Sequence, residues 1–139
     1  MRHGDYKLST VPTQDVLAVW PRIADMVESG LDESAGEFAP EDVQKALLLR
    51  EMQLWVMHKE GDIQAIGLTR IVQFPQFNVG EIAMVSGHGA RKMLPFVDSV
   101  FKPWARENGC AELRIFGRVG WMKLLPDWKD YGITLRTLL

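Results

Sequence analysis

The sequence predicts a domain of mixed α/β class, in which a mostly antiparallel sheet carries helices on both faces. Its 139 residues suffice for one hydrophobic core but not for two, so we expect a single domain over 1–139. The apolar share of 47% and the charged share of 24% are typical of globular domains. Helix-like and strand-like runs alternate along the chain, and a block of strand-like runs lies in the middle.

The first half of the chain is predicted to hold a strand, two helices and a hairpin. The strand covers 5–10, and helical spacing of apolar side chains from Val16 to Val27 then predicts the first helix, with Thr13 as its N-cap. A second helix opens at Pro40, whose ring suits a first turn, and runs to about Arg50. The turn at 60–62 joins two strands over 54–59 and 63–74.

The second half alternates strands with helices. A strand over 77–86 leads into a glycine-rich turn, and a long helix follows, which ends at 108–109 and should kink at Pro103. A strand over 112–116, a short helix over 120–127 and a last strand over 131–138 complete the chain. Strand pairs separated by helices predict that the helices flank the sheet on both faces.

Charge and composition disfavour several classes of protein. The net charge of −2 and the lack of a basic tract argue against generic nucleic-acid binding. No apolar run approaches the roughly 20 residues of a membrane-spanning helix, and the polar N-terminus does not resemble a secretion signal. The single cysteine, Cys110, is compatible with a reducing cytoplasm. His3 and His58 lack partners at metal-ligand spacing, so we predict no metal site.

The glycine-rich turn after the strand over 77–86 is the strongest candidate for a ligand site. Glycines allow a close backbone approach, while the first N–H groups and the dipole of the following helix favour an anion such as phosphate. Such turns also occur for purely structural reasons, and a histidine in one is often merely exposed. The candidate residues are Gly87, His88, Gly89, Ala90, Arg91 and Lys92.

This order of elements, with its glycine turn, resembles the GNAT superfamily of acyl-CoA N-acyltransferases. The pyrophosphate loop of that family has Gln or Arg, two further residues, Gly, one residue, and Gly or Ala. This chain has Met84, then Val85-Ser86, then Gly87-His88-Gly89, so the small residues match and the leading residue does not. The resemblance implies acetyl-CoA as co-substrate and a small amine or a protein amine as acceptor.

The second GNAT signature is an Asn, an Ala, a Tyr and a Gly-Phe pair on and after the last helix. These positions hold Trp121, Leu124, Trp128 and Gly132-Ile133 in this chain. Trp121 therefore stands where the family has a coenzyme A contact, and Trp128 stands where it often has the general acid. An indole N–H cannot replace a phenol as an acid, and Tyr131, three residues further on, is the candidate substitute.

The resemblance also implies how the reaction would proceed. Glu81, on the strand before the turn, is the candidate base that deprotonates the acceptor; a solvent-facing strand residue is the alternative interpretation. A backbone N–H near Val85 would stabilise the oxyanion. Acceptor specificity would lie in the loops over 30–40 and 73–79. Arg118, between two glycines at a strand end, could contact an anionic ligand or partner, or could be solvated.

Two functions remain open from the sequence. One is an N-acetyltransferase; the other is a GNAT-like protein that binds without catalysis, resembling the small GNAT-like proteins of tailed phages, with a role in virion assembly or host interaction in the host cytoplasm. Only seven residues follow Gly132, so the C-terminal hairpin of the family must be shortened. An edge strand would then be left open for a homodimer or another protein partner.

Overall fold

The computed structural model describes residues 1–34, 36–116 and 120–139, and its strands and helices follow the predicted order up to the last helix, with one short strand added at the N-terminus. The strands are β1 Arg2–His3, β2 Tyr6–Val11, β3 Gln53–Lys59, β4 Asp62–Gln73, β5 Asn78–Ser86 and β6 Cys110–Ile115. The α-helices are α1 Val16–Leu31, α2 Pro40–Leu48, α3 Lys102–Glu107 and α4 Gly120–Leu124.

The strands of the described chain form one sheet in the order β1-β2-β3-β4-β5-β6. Every neighbouring pair is antiparallel except β5 and β6, which run parallel because the helical segment that ends in α3 connects them. The mixed, mostly antiparallel sheet predicted from the sequence is confirmed. Because β6 pairs only with β5 among the described residues, it forms one edge of the sheet.

Both faces of the sheet are covered, and alternate residues of each strand supply the two cores. On β3, Leu54 and Val56 pack with α1 and α2, whereas Trp55 and Met57 pack under the helical segment that ends in α3. The indole N–H of Trp55 donates to the Thr69 hydroxyl at 2.9 Å, so this buried polar pair is satisfied. The predicted flanking of the sheet by helices on both faces is therefore confirmed.

The segment after the glycine turn differs from the single long helix predicted. It begins as a 3-10 turn over Ala90–Met93, widens into a π-helical turn over Val97–Phe101, and only then becomes α3. Two prolines explain this. Pro95 has no N–H for the Arg91 carbonyl, which accepts from Leu94 instead. Pro103 has none for Ser99, so the turn before it is widened, as at other π-bulges.

The predicted last strand over 131–138 is wrong. In the structure no strand includes residues 131–139, and the described strand pairs all involve other segments. Apolar side chains recur there as in a strand, but Ile133 and Leu135 are each more than 80% exposed. Strand formation requires a partner backbone, which a local pattern cannot supply.

Within the described residues, no helix has both the length and the apolar character needed to cross a bilayer.

Candidate active site at the opening of the sheet

The sheet opens between β5 and β6, and this opening positions the candidate site. The parallel register ends where Ile82 pairs with Ile115, and one further hydrogen bond joins the Phe116 N–H to the Ile82 carbonyl at 3.2 Å. Beyond that point β5 continues to Ser86, paired in the described chain only with β4. The last part of β5 therefore has a backbone edge that β6 does not cover.

A β-bulge lies on β5 at the same point. Leu68 of β4 pairs with Met84 and its neighbour Thr69 pairs with Ile82, so Ala83 is the extra residue on β5. A bulge leaves one residue out of the ladder and re-aims the backbone groups beside it. Val85, near which the oxyanion donor was predicted, lies just beyond the bulge on the uncovered part of the strand.

A cleft of about 530 Å³ lies beside this opening, on the face of the sheet that carries α1 and α2. Its floor comes from β4 and β5, one wall comes from the loop between α1 and α2, and Phe116 and Trp121 also line it. The predicted specificity loop over 30–40 contributes Phe38 among other residues, whereas the loop over 73–79 contributes none of the lining residues. Most of the lining is apolar, and the charged side chains are few: Glu33, Glu37, Arg70 and Glu81.

Glu81 lies on the floor of this cleft and is held by an ion pair. Arg70 and Glu81 are register partners on β4 and β5, and the Arg70 Nε donates to Glu81 Oε1 at 2.7 Å. The Glu81 side chain is 8% exposed and that of Arg70 is 40% exposed. The solvent-facing alternative for Glu81 is therefore wrong: its carboxylate is buried and directed by a guanidinium.

The second carboxylate oxygen of Glu81 remains available to a ligand. Only Oε1 has a hydrogen-bond partner in the described chain, and among the described residues no fully buried side-chain oxygen or nitrogen lacks one. Oε2 is therefore accessible, and the cleft is the open space that Glu81 lines. The arrangement offers a fixed carboxylate oxygen that can accept a hydrogen bond or a proton.

The glycine turn lies at the end of β5 and is packed tightly against β4. Gly87 has φ +123°, and a Cβ there would lie 2.5 Å from the Gln64 carbonyl oxygen and 2.7 Å from the Ala65 Cα. The N–H of Gly89 donates to that same carbonyl at 3.2 Å. Packing alone thus accounts for the glycine at 87. The Gly89 N–H, one of the backbone donors predicted to bind phosphate, is already used within the fold.

The side chains of the turn nevertheless face solvent. His88, Arg91 and Lys92 are exposed, while Ala90 opens the 3-10 turn. None of these residues lines the cleft, which the chain reaches at Val85, two residues before Gly87. The structure therefore brings Glu81, Val85 and Trp121 together at the cleft and sets the basic side chains just beyond its end.

Tyr131, the candidate acid, lies outside the cleft lining. It is 81% exposed, and its ring centroid is 4.2 Å from the Arg114 guanidinium carbon. Arg114 in turn donates to Glu112 at 3.0 Å. Trp128, at the family's tyrosine position, packs against the core on the α3 side. Arg118 lies outside the described residues.

The remaining titratable and ligating groups add little to the site. Burial raises the pKa of the Cys110 thiol at the start of β6, away from the opening. Among the residues that the structure describes, no group of three or more His, Cys, Asp or Glu side chains is arranged to hold a metal ion.

Sequence reasoning missed Arg70, although a signal for it existed. The strands over 63–74 and 77–86 meet at a short connection around Pro75, and a tight hairpin there places Arg70 opposite Glu81. The bulge at Ala83 and the wall from the α1–α2 loop had no such signal, because both depend on tertiary packing.

No protein-family model matches this chain, and no curated protein matches it. Solved structures do. An aminoglycoside acetyltransferase from an uncultured soil metagenomic sample, in complex with trehalose, has a TM-score of 0.67 at 13% identity, with 97% of each chain covered. Glucosamine-6-phosphate N-acetyltransferase from Arabidopsis thaliana has a TM-score of 0.64 at 14% identity, covering 97% of this chain and 99% of that one.

A GNAT family acetyltransferase from Staphylococcus aureus is also similar, with a TM-score of 0.60 at 12% identity and coverage of 98% of this chain and 100% of that one. Identities this low establish the fold and leave the reaction open. The chain has the GNAT acetyltransferase fold, with its cleft where β5 and β6 separate.

Proposed function

We propose that this protein is an acetyl-CoA-dependent N-acetyltransferase acting on an amine that enters the cleft beside β5. The observation that carries the proposal is the buried Glu81 carboxylate, whose free oxygen lines a cleft next to the uncovered, bulged end of β5. The fold shared with acetyltransferases of different named substrates, an aminoglycoside and glucosamine-6-phosphate, supports the reaction class and leaves the acceptor open.

The proposed chemistry is direct transfer. Glu81 accepts a proton from the acceptor ammonium, and the neutral amine nitrogen attacks the thioester carbonyl carbon. A backbone N–H near Val85 stabilises the oxyanion. The carbon–sulfur bond then breaks, an amide forms, and coenzyme A leaves as the thiolate. That thiolate takes up the second proton of the nitrogen, directly or through water, so that the products are the acetamide, the free thiol and protonated Glu81.

Coenzyme A is proposed to bind along the uncovered edge of β5, with its pyrophosphate at the glycine turn. Exposed Arg91, Lys92 and His88 support this position, because cationic side chains favour phosphate oxygens. Trp121 in the cleft wall is the proposed contact for the thioester arm. The Gly89 N–H already donates to the Gln64 carbonyl and is not available to the pyrophosphate. Side chains must therefore contribute more to pyrophosphate binding than in a turn whose backbone N–H groups are all free.

A second candidate function is binding without catalysis, and the position of Tyr131 favours it. That hydroxyl is the replacement acid implied by the sequence, yet its side chain lies outside the cleft lining. A role in a phage, in virion assembly or host interaction, stays a prediction of the sequence resemblance. So does the cytoplasm, for which the single cysteine, Cys110, is the support.

We also propose that a second copy of this chain completes the sheet at β6. The outer edge of β6 has no partner strand in the described chain, and unpaired edges invite strand addition. The tail after Gly132 supplies a matching segment, because its exposed Ile133 and Leu135 alternate as in a strand. Reciprocal exchange of the two tails would cover both edges by one two-fold arrangement.

The reaction is tested by following free thiol release from acetyl-CoA with a panel of amines, including an alkylamine, an amino acid, an aminosugar and a peptide. The proposal predicts amine-dependent thiol release and a new acetamide by mass spectrometry. Release no faster than without protein, for every amine, would contradict it. Acetyl-CoA binding without turnover would support the second candidate.

The edge proposal is tested by sedimentation of the full chain and of a form ending at Tyr131. We expect a dimer for the full chain and a monomer for the shortened one, both with the same far-ultraviolet circular dichroism apart from the missing residues. A full chain that is monomeric at about 100 μM, a concentration at which a homodimer with a Kd of about 1 μM is almost fully formed, would contradict the proposal.

A further inference from the structure

Arg70 and Glu81 form an ion pair on the floor of the cleft, and each has hydrogen-bonding groups that the other does not use. A guanidinium carries five N–H donors, and a carboxylate has two oxygens. In the described chain the Arg70 side chain uses only Nε, and Glu81 uses only Oε1. The terminal N–H groups of Arg70, whose side chain is 40% exposed, and Oε2 of Glu81 are therefore the polar groups that the floor presents to a ligand.

Apart from the pair, the charged side chains that line the cleft are those of Glu33 and Glu37, which favour a cation, so Arg70 is the group that distinguishes a zwitterion from an acceptor that carries only positive charge. Such an acceptor would satisfy Glu81 and leave the Arg70 guanidinium facing a second cation. The walls are mostly apolar, with Phe38 and Met84 among them, so solvent screening is reduced there. A ligand with a negative group beside its amine would satisfy both members of the pair.

We propose that the acceptor is a small zwitterion, an amine that carries a carboxylate or phosphate a few bonds from its nitrogen. The inference rests on the proposed function, since it names the acceptor of that same cleft. Its ammonium meets Glu81 Oε2 and its anionic group meets the terminal N–H groups of Arg70, whose planar fork suits two oxygens at once. An apolar side chain on the zwitterion packs against Phe38 and Met84.

The closing experiment measures binding of matched ligands without any thioester, so that it does not depend on turnover. Methionine and methioninamide share the amine and the side chain and differ in the carboxylate; phosphoethanolamine and ethanolamine form the phosphate arm. Calorimetry or ligand-observed NMR should show at least about tenfold tighter binding of one zwitterion than of its partner lacking the anion, because a site built for a polar group rejects an analogue without it. The arm with the larger ratio identifies the anion.

Two variants and one control test whether the preference for the zwitterion over its partner without the anion depends on Arg70 and Glu81. Arg70→Lys keeps the charge and loses the fork, so the ratio should fall at least about threefold. The double variant Arg70→Gln/Glu81→Gln removes both charges without leaving one buried alone, and its ratio should approach one. Arg106→Gln, an exposed arginine of α3 outside the cleft, should retain the wild-type ratio.

Equal binding of the two members in both arms, or no binding of any ligand at about 10 mM, a limit far weaker than usual acceptor affinities, would overturn the inference. Failure of the proposed function looks different. If a zwitterion binds more tightly than its matched ligand by the expected ratio but thiol release never occurs, the inference about the ligand stands and the proposed acetyltransferase activity is contradicted. If uncharged or purely cationic amines are acetylated while the ratio is one, catalysis stands and the inference falls.

Discussion

The glycine turn and the cleft are neighbours along β5, and they differ in how much of their sequence the fold itself requires. At the turn, Gly87 is fixed by its positive φ and by the β4 backbone that a Cβ would meet. At the cleft, no packing requirement calls for a charge: the Glu81 side chain is only 8% exposed, and burial of its carboxylate has a desolvation cost that an apolar residue would not have. Arg70 and Glu81 therefore point to ligand chemistry more strongly than the motif glycine does.

A motif match and a functional site therefore need separate evidence. The glycine turn carries the resemblance to the family, yet part of it is explained by tight packing. The floor of the cleft has no motif, yet it holds a buried, directed carboxylate with one oxygen available. Substitutions that act on only one of the two regions distinguish their roles.

The largest expected effect is on turnover. Glu81→Gln should lower kcat by at least about 100-fold, because an amide cannot accept the proton of the ammonium. Binding of acetyl-CoA should change little, since the turn is untouched. The measurement is thiol release at saturating amine, with calorimetry for binding.

The matched control is Glu112→Gln, which alters another paired glutamate, on β6 and outside the cleft lining. It should retain turnover within about threefold, the range of ordinary surface changes. Full activity of the Glu81→Gln variant would exclude this carboxylate as the base.

A second substitution tests whether Gly87 serves the fold. Gly87→Ala should lower the free energy of unfolding by about 3 kcal/mol or more, because strain at positive φ adds to a clash with the β4 backbone. Gly109→Ala is the comparison: φ is +72° there and a Cβ would have open space, so a loss of about 1 to 2 kcal/mol is expected. Urea unfolding measures both, and equal losses would show that the packing account of the turn is mistaken.

Charge reversal at the turn should affect binding alone. The double variant Arg91→Glu/Lys92→Glu should weaken acetyl-CoA binding by about tenfold at low salt, and less at high salt because the charges are exposed. Lys102→Glu/Arg106→Glu makes the same change of net charge on α3 and should bind almost as the wild type does. If both double variants lose affinity equally, overall charge rather than the turn attracts the ligand.

The smallest expected effect is on the reactivity of the Cys110 thiol, at the start of β6 and away from the opening of the sheet. Burial raises the pKa of Cys110, so at pH 8 its thiolate fraction is smaller than that of an unfolded thiol. Alkylation by iodoacetamide should therefore be slower in the folded protein, by about threefold or more, than in 8 M urea. The same rate in variants of the cleft and of the turn would show that neither change opens this part of the sheet.

The sequence predicted the middle strands well, because β3, β4 and β5 alternate apolar residues between two cores and are bounded by turn residues. The pairing of Arg70 with Glu81 was within reach of the same pattern. The bulge at Ala83 was not, since it depends on how β5 meets two neighbours at once. The strand wrongly predicted over 131–138 shows the same limit of sequence patterns, because an edge strand forms only where a partner strand is available.

The central claim, that the end of β5 holds coenzyme A beside an acceptor cleft, is tested most directly by calorimetric titration of the full chain with acetyl-CoA. The account predicts saturable binding with a Kd below about 1 mM, and a loss of affinity in the variant with reversed charges at the turn. The absence of any binding heat at millimolar ligand and at two temperatures would contradict it, because a change of temperature exposes binding whose enthalpy happens to be zero at one of them.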